Sequence, residues 1–302
     1  MKKTQSNQDE FKKAREKFKE GVEAQNKGYY DNLQNDTFET AIDAAVDLAY
    51  NDAKRTLDGI GKHPDKKDQA LDCLKDELNT YFTKNDAPST EEDFDKIHDN
   101  LCQIWCNEFK SLGKLGTYGK AQKIVNMSFK YLYCRNDADK RKDHFKYCHM
   151  PLDSFTLEWF KREYSKQNNS NELDNIITSW SNLKSGDNND PDTFIDDDGK
   201  KYYSYHFFKE EIRKIANDKG ISPLELEFIV WPQIQKELAA EDFLFGLEEN
   251  LNNDDKNKIK NKIKEMPLED KYDEIIKNLI GRKKRKLKCI FSKIIDKFSD
   301  SE

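Results

Sequence analysis

Apolar residues recur at intervals of three and four in successive stretches of this chain, which is the spacing of one face of an α-helix. The clearest stretch contains Phe94, Leu101, Trp105 and Phe109. Only 12 Gly and 7 Pro occur in 302 residues, which fits helices joined by polar loops better than a strand-rich sandwich with many tight turns. The sequence therefore predicts an all-α, multi-helix globular fold with no paired strands.

The predicted core has to be built from large side chains. Hydrophobic residues make up only 35% of the chain, whereas charged residues make up 36%. The 18 Phe, 13 Tyr and 4 Trp bury a large area per residue. A chain of this length can enclose a sizeable core with such residues.

The pattern of helices divides the chain into three parts. Residues 1–35 are predicted to form a peripheral N-terminal helix, residues 36–250 the main helical domain, and residues 251–302 a basic amphipathic helical segment. A stretch near residues 165–200 is rich in Asn, Asp and Ser, so it is predicted to be a disordered or solvated loop.

The last helix of the main domain has a start signal and a stop signal. Ser222-Pro-Leu-Glu225 has the pattern of a capping box, with Pro at the first helical position. Pro232 lacks a backbone N–H, so it is predicted to end or kink this helix after Trp231.

Charge and hydropathy restrict the function classes. The net charge of −6 does not favour non-specific binding to nucleic acid or to anionic membranes, although residues 103–150 are locally basic. The sequence contains no apolar run of about eighteen residues and no apolar segment after its first lysines. We therefore expect a soluble, cytoplasmic protein that does not associate with membranes.

The six cysteines are too scattered for a disulfide scaffold. Cys102 and Cys106 lie one helical turn apart within an apolar stripe, where cysteines more often fill a core than bind a metal. We expect neither a metal site nor a cofactor.

Two short stretches indicate chemistry: LGTYGKAQKIVNMSFK, residues 115–130, and HMPLDSF, residues 149–155. On a helix, Lys120, Lys123 and Lys130 lie on one face. One interpretation is a solvated lysine face over an apolar one. The other is that the glycine turn and the helix N-terminus hold a phosphate.

Asp153 also has two interpretations. Pro151-Leu-Asp153 would bring a carboxylate beside the lysines. Asp153 also precedes a predicted helix, where an aspartate is a common N-cap residue, and capping alone explains its presence.

These residues resemble the helix-hairpin-helix superfamily of DNA glycosylases, and most of all the archaeal 8-oxoguanine glycosylases. The shared order is a helix, a glycine hairpin, a helix with a lysine, and an apolar-Pro-apolar-Asp element that opens another helix. The resemblance covers residues 115–165 and, faintly, the Trp-terminated stretch 222–231. The same stretches also look like a recurring element of uncharacterised bacterial proteins.

The resemblance implies a base-excision-repair glycosylase and lyase that acts on a flipped base in DNA. Lys123 would attack the sugar carbon and form a Schiff base, and Asp153 would support that step electrostatically or as a base. Lys123 stands further along its helix than the usual family spacing, so Lys120 remains a rival nucleophile. The residues implied to bind nucleic acid are Gly116, Gly119, Lys114, Lys130, Trp159 and Trp231.

The sequence bears on two other functional classes. A helical ribonuclease with an Arg-x4-6-His motif is not matched, because neither His144 nor His149 has that spacing from Arg141. A non-enzymatic helical protein that binds nucleic acid or another protein remains an alternative. A catalytic Lys123 must face a concave pocket within reach of Asp153, whereas a lysine that only binds is expected to be exposed.

Overall fold

The computed structural model describes residues 2–84, 86–168, 178–187 and 189–250. The predicted basic helical segment at residues 251–302 lies outside them. The first five helices are α1 (Lys2–Gln25), α2 (Lys27–Leu33), α3 (Phe38–Ala53), α4 (Pro64–Thr83) and α5 (Glu91–Glu108). The next five are α6 (Tyr118–Leu132), α7 (Lys142–Phe145), α8 (Ser154–Asn168), α9 (Tyr205–Lys219) and α10 (Pro223–Asn250).

The described residues are mostly helical, so the coarse prediction of a helical protein is confirmed. The expectation that strands would not pair is wrong in one place. Strands β1 (Thr193–Ile195) and β2 (Lys201–Tyr203) form an antiparallel hairpin within the stretch predicted to be a loop. Its turn is closed by Asp196, whose Oδ1 accepts the backbone N–H groups of Asp198 and Lys200.

The N-terminal 35 residues contribute to the core and are not only peripheral. They form two helices, and the side chains of Phe11, Val22 and Leu33 are buried. The predicted single peripheral helix is therefore corrected to two helices with a buried face.

Helix α10 begins as the capping box predicts. The N–H of Glu225 donates to the Ser222 hydroxyl, and the Glu225 carboxylate accepts the N–H of Ser222 at 2.9 Å. The helix does not end at Pro232, because it continues to Asn250. The first compact unit of the chain ends at Trp231. The predicted boundary after residue 250 lies at the end of the described residues and stays a prediction.

Helix α6 lies in the middle of the first unit. All of its residues from Tyr118 to Leu132 are buried. It packs against α3 and α5. The face of α3 towards the core is rich in alanine, which lets two helix backbones approach closely, as the sequence pattern predicts.

Two glycines fix the start of α6 by close packing. A Cβ atom on Gly119 would lie 1.9 Å from the carbonyl oxygen of Trp180, and one on Gly116 would lie 2.8 Å from the backbone of Phe109. The N–H of Gly119 donates to the carbonyl oxygen of Leu183 at 2.9 Å. The segment around Trp180–Asn182 therefore covers the N-terminus of α6.

We expect Gly119→Ala to lower the free energy of unfolding by about 3 kcal/mol, because a backbone carbonyl cannot move away as a flexible side chain can. Urea denaturation measures this change.

The matched control is Gly21→Ala in α1, where a Cβ atom meets no other atom within 4 Å. This change removes a helix-interior glycine, so we expect it to raise stability by about 0.5–1 kcal/mol. Equal stability of the two variants would contradict the close approach at Gly119.

Candidate functional site

Lys123 and Asp153 form a buried ion pair. The Lys123 ammonium donates to Oδ2 of Asp153 at 2.7 Å. Their side chains retain 8% and 11% of their exposure, so the pair lies just beneath the surface. Lys123 is therefore buried within reach of Asp153, and the catalytic role of the pair stays a prediction.

Asp153 has both of the roles considered for it, because each oxygen has its own partners. Oδ1 accepts the N–H groups of Phe155 and Thr156, each at 2.9 Å, and so caps helix α8. The Thr156 hydroxyl accepts the N–H of Asp153 in return. Oδ2 remains for Lys123.

The pKa of Asp153 is lowered from its ordinary value. Burial alone would raise this pKa, but the Lys123 ammonium, the N–H of Thr156 and the indole of Trp231 outweigh it. Asp153 is therefore a carboxylate at neutral pH. This form suits electrostatic support of a developing positive charge better than it suits proton abstraction.

Trp231 completes this site. Its indole Nε1 donates to the same Oδ2 at 3.2 Å, and its ring lies edge-on to Phe155 with centroids 5.9 Å apart. Trp231 is half-buried. An amine, a carboxylate and a partly exposed aromatic ring thus meet at one place.

A second ion pair lies two helical turns further along α6. Lys130 Nζ lies 2.6 Å from Oε2 of Glu227, and the two side chains are 2% and 0% exposed. The rings of Phe18, Phe228 and Trp231 surround the ammonium at 4.0, 5.1 and 5.2 Å. Favourable cation–π contacts therefore add to the ion pair.

Glu227 is held less completely than Asp153. Neither of its oxygens has a partner with regular hydrogen-bond geometry among the described residues, although the Lys130 ammonium is in ionic contact. Burial raises the pKa of Glu227, while Lys130 and Lys123 oppose that shift. The close distance indicates a charged pair, and the missing hydrogen bonds indicate that its burial is costly.

Lys120 has a different environment from Lys123. Its ammonium donates to the backbone carbonyl of Lys114, and it is 5% exposed. Burial lowers the pKa of Lys120, and nearby Lys114 adds to this shift while Asp58 opposes it. Among these lysines, only Lys123 contacts Asp153.

The lysine face of α6 is therefore not solvated, and that interpretation is wrong. Lys120, Lys123 and Lys130 are all buried. Lysine counts as polar in a hydropathy pattern, but here each ammonium has an acceptor inside the fold.

Most of the residues proposed for nucleic-acid binding also face inward. Trp159 is buried, and Lys130 pairs with Glu227. The N–H of Gly116 donates to the carbonyl of Gly113, and that of Gly119 donates to Leu183. The exposed member of the set is Lys114, and Trp231 is partly exposed.

A second polar network, which the sequence did not predict, crosses the core on another face of α6. Asn126 lies at its centre, with its Nδ2 donating to the Tyr205 hydroxyl at 3.0 Å and its Oδ1 2.9 Å from His98. Gln122, one turn earlier, donates to the carbonyl of Leu152 at 2.8 Å. The sequence feature that could have indicated this network is the four-residue spacing of Gln122 and Asn126, which places two amide side chains on one face of the helix.

His149 extends this network to a charged group. Its Nδ1 lies 3.0 Å from the Tyr205 hydroxyl, and its Nε2 lies 2.9 Å from Asp95. Arg213 and Lys209 both donate to Asp95. Burial lowers the pKa of His149 to about 4, with Arg213 and Lys209 adding to the shift, so His149 is neutral at pH 7.

A small cavity adjoins this second network. Its lining includes His149, Tyr205 and Lys209 together with apolar side chains, and it has room for about one water molecule. Lys123 and Asp153 do not line it. In the described parts of the chain, no group of three or more His, Cys, Asp or Glu is arranged to hold a metal ion.

No protein-family model, curated protein or solved structure matches this chain. Of the helices that the structure describes, none is both long and apolar enough to cross a membrane.

The Lys130–Glu227 pair gives a test of the core electrostatics. Lys130→Met leaves the Glu227 carboxylate buried without its counter-charge, so we expect it to lower the free energy of unfolding by about 3–5 kcal/mol. The double variant Lys130→Met/Glu227→Met replaces the pair with apolar chains of similar length, and we expect stability near that of the wild type. Urea denaturation measures both. A double variant less stable than Lys130→Met would show that the pair is not coupled.

Asp153→Asn gives a pH-dependent test. Asparagine keeps an oxygen for the helix cap but loses the charge, so we expect a loss of about 3 kcal/mol at pH 7. Because the folded-state pKa of Asp153 is lowered, its stabilisation is complete above its unfolded pKa of about 3.9 and is lost as the pH falls through the folded value.

The stability difference between wild type and Asp153→Asn should therefore shrink below about pH 4. Urea denaturation of both proteins over a range of pH measures it. A difference that stays constant or grows towards acid pH would contradict the ion pair.

Proposed function

We propose that the Lys123–Asp153 pair is the reactive centre of a nucleic-acid enzyme of the glycosylase and lyase type, acting on a flipped or abasic nucleotide. The observation that supports this most is the 2.7 Å contact between an amine and a carboxylate that are buried but retain some exposure. The side chains of the Lys130–Glu227 pair are almost completely buried and lack that exposure to solvent.

Each group has a role in this chemistry. Lys123 first gives up one ammonium proton to water, and its nitrogen then bonds to the aldehydic C1′ of an abasic sugar. The former carbonyl oxygen takes up this proton and a second one from the nitrogen and leaves as water, so that an iminium ion forms. The Asp153 carboxylate stabilises the positive charge that develops. The half-buried indole of Trp231 offers a flat surface for an extruded base.

The groups proposed to contact the nucleic-acid phosphates differ from those that the resemblance implies. The amides of Gly116 and Gly119 already donate to carbonyls within the chain. Lys110 and Lys114 are exposed in the turn that precedes α6, so phosphate contact is assigned to these side chains.

The alternative function is a non-enzymatic helical binding protein, in which the ion pairs only hold helices together. The observation that favours it is the internal use of the proposed phosphate contacts at Gly119 and Lys130. Its partner is then a nucleic acid or another protein, and wild-type protein forms no covalent bond with abasic DNA.

Borohydride trapping tests the proposal. Wild-type protein mixed with duplex DNA that contains an abasic site is treated with sodium borohydride, which reduces an iminium ion to a stable amine, and cross-linked species are separated on a denaturing gel. We expect a cross-link with wild-type protein and none with Lys123→Arg, because arginine keeps the positive charge beside Asp153 but has no nucleophilic amine.

Lys120→Gln is the matched control, since Lys120 is a buried lysine on the same helix with a different acceptor. We expect it to trap as well as the wild type. Trapping by Lys123→Arg but not by Lys120→Gln would move the nucleophile to Lys120. If the wild type is not trapped, the proposed enzyme is refuted and the non-enzymatic binding protein is favoured.

A further inference from the structure

Two ion pairs of the same chemistry lie on one helix, and they differ in how they are covered. Lys123 and Lys130 are seven residues apart, so both project from the same side of α6. The Lys130–Glu227 side chains are 2% and 0% exposed, whereas the Lys123–Asp153 side chains are 8% and 11% exposed. Trp231 contacts both pairs.

Trp231 is attached to the Lys123–Asp153 pair by weak contacts. Its Nε1 donates to Oδ2 of Asp153 at 3.2 Å, and this oxygen already accepts the shorter bond from Lys123. Its ring makes an edge contact with Phe155, which is also half-buried. Displacing the indole therefore leaves the Lys123–Asp153 bond and the helix cap of Asp153 in place.

The backbone next to Trp231 is weakened by the following residue. Pro232 lies inside α10 and has no N–H, so the carbonyl of Phe228 cannot receive its usual helical hydrogen bond from position 232. One helical hydrogen bond is thus missing in the turn that contains Trp231, and such a proline is a common place for a helix to bend.

We infer that Trp231 is a movable cover and positioning residue of the Lys123–Asp153 pair, and that access to the Lys123 amine requires its indole to swing away. The indole bond to Asp153 holds the cover closed, and Pro232 supplies the weak turn. This inference gives the route into the site of the proposed function, but the cover can be tested without any nucleic acid.

Amine labelling of the folded protein tests the cover. The protein is exposed briefly to an acetylating N-hydroxysuccinimide ester, then denatured and digested, and acetylation of Lys123 and Lys130 is quantified by mass spectrometry. We expect Trp231→Ala to raise the labelling rate of Lys123 about tenfold, the factor that corresponds to losing one hydrogen bond to a charged group.

Lys130 is the internal control, because its pair is enclosed by Phe18 and Phe228 as well as Trp231. We expect the labelling of Lys130 to remain low in every variant. Trp231→Phe keeps an aromatic ring but lacks the Nε1 donor, so we expect an intermediate rate at Lys123.

Two outcomes overturn the inference. An unchanged rate at Lys123 in Trp231→Ala would show that the indole does not control access. An equal rise in the labelling rates of Lys123 and Lys130 would show that the variant exposes the whole core to solvent. If Trp231→Ala raises the labelling rate of Lys123 but borohydride traps no wild-type protein on DNA, only the proposed enzyme activity is refuted. If trapping occurs but Trp231→Ala leaves the labelling rate unchanged, only this inference is refuted.

Discussion

The burial of helix α6 is the constraint on which the rest of this structure depends. Every residue from Tyr118 to Leu132 is buried, yet the helix contains three lysines. An unpaired ammonium in a protein interior costs several kcal/mol, so each lysine needs an acceptor at a defined place. Asp153 before α8, Glu227 in α10 and the Lys114 carbonyl supply these acceptors.

The polar groups of α6 also explain how several helices are positioned around it. Gln122 and Asn126 reach the segment before α8 and Tyr205 of α9, while Lys123 and Lys130 reach Asp153 and Glu227. A shift of one residue in α6 would separate all of these partners. We interpret the buried polar groups as a source of specificity for one arrangement of helices, at a cost in stability for Glu227.

Local patterns in the sequence predicted the elements well where one physical effect dominates. The alanine-rich face of α3 and the aromatic stripe of α5 have clear helical spacing, and both helices are present. The capping box at Ser222 is also present as predicted. The hairpin at residues 193–203 was missed because strands of three residues give too short a pattern.

The site was predicted only in part, because its main contacts join distant residues. The approach of Asp153 to the lysines of α6 was one of two interpretations of the sequence, and the structure brings Lys123 and Asp153 together. Glu227 has no local signal that distinguishes it from the exposed glutamates, so its pairing with Lys130 was not predicted. From their charge alone, Lys120 and Lys130 are candidates for contact with solvent or phosphate, and Lys120 is also a candidate nucleophile, whereas tertiary packing buries both side chains.

A double-mutant cycle between Lys123 and Asp153 tests the central claim most directly. The free energies of unfolding of the wild type, Lys123→Met, Asp153→Asn and the double variant give the coupling energy between the two side chains. A buried pair at 2.7 Å predicts a coupling of about 2 kcal/mol or more. A value of about 0.5 kcal/mol or less is typical of an exposed pair and would contradict the buried amine–carboxylate site.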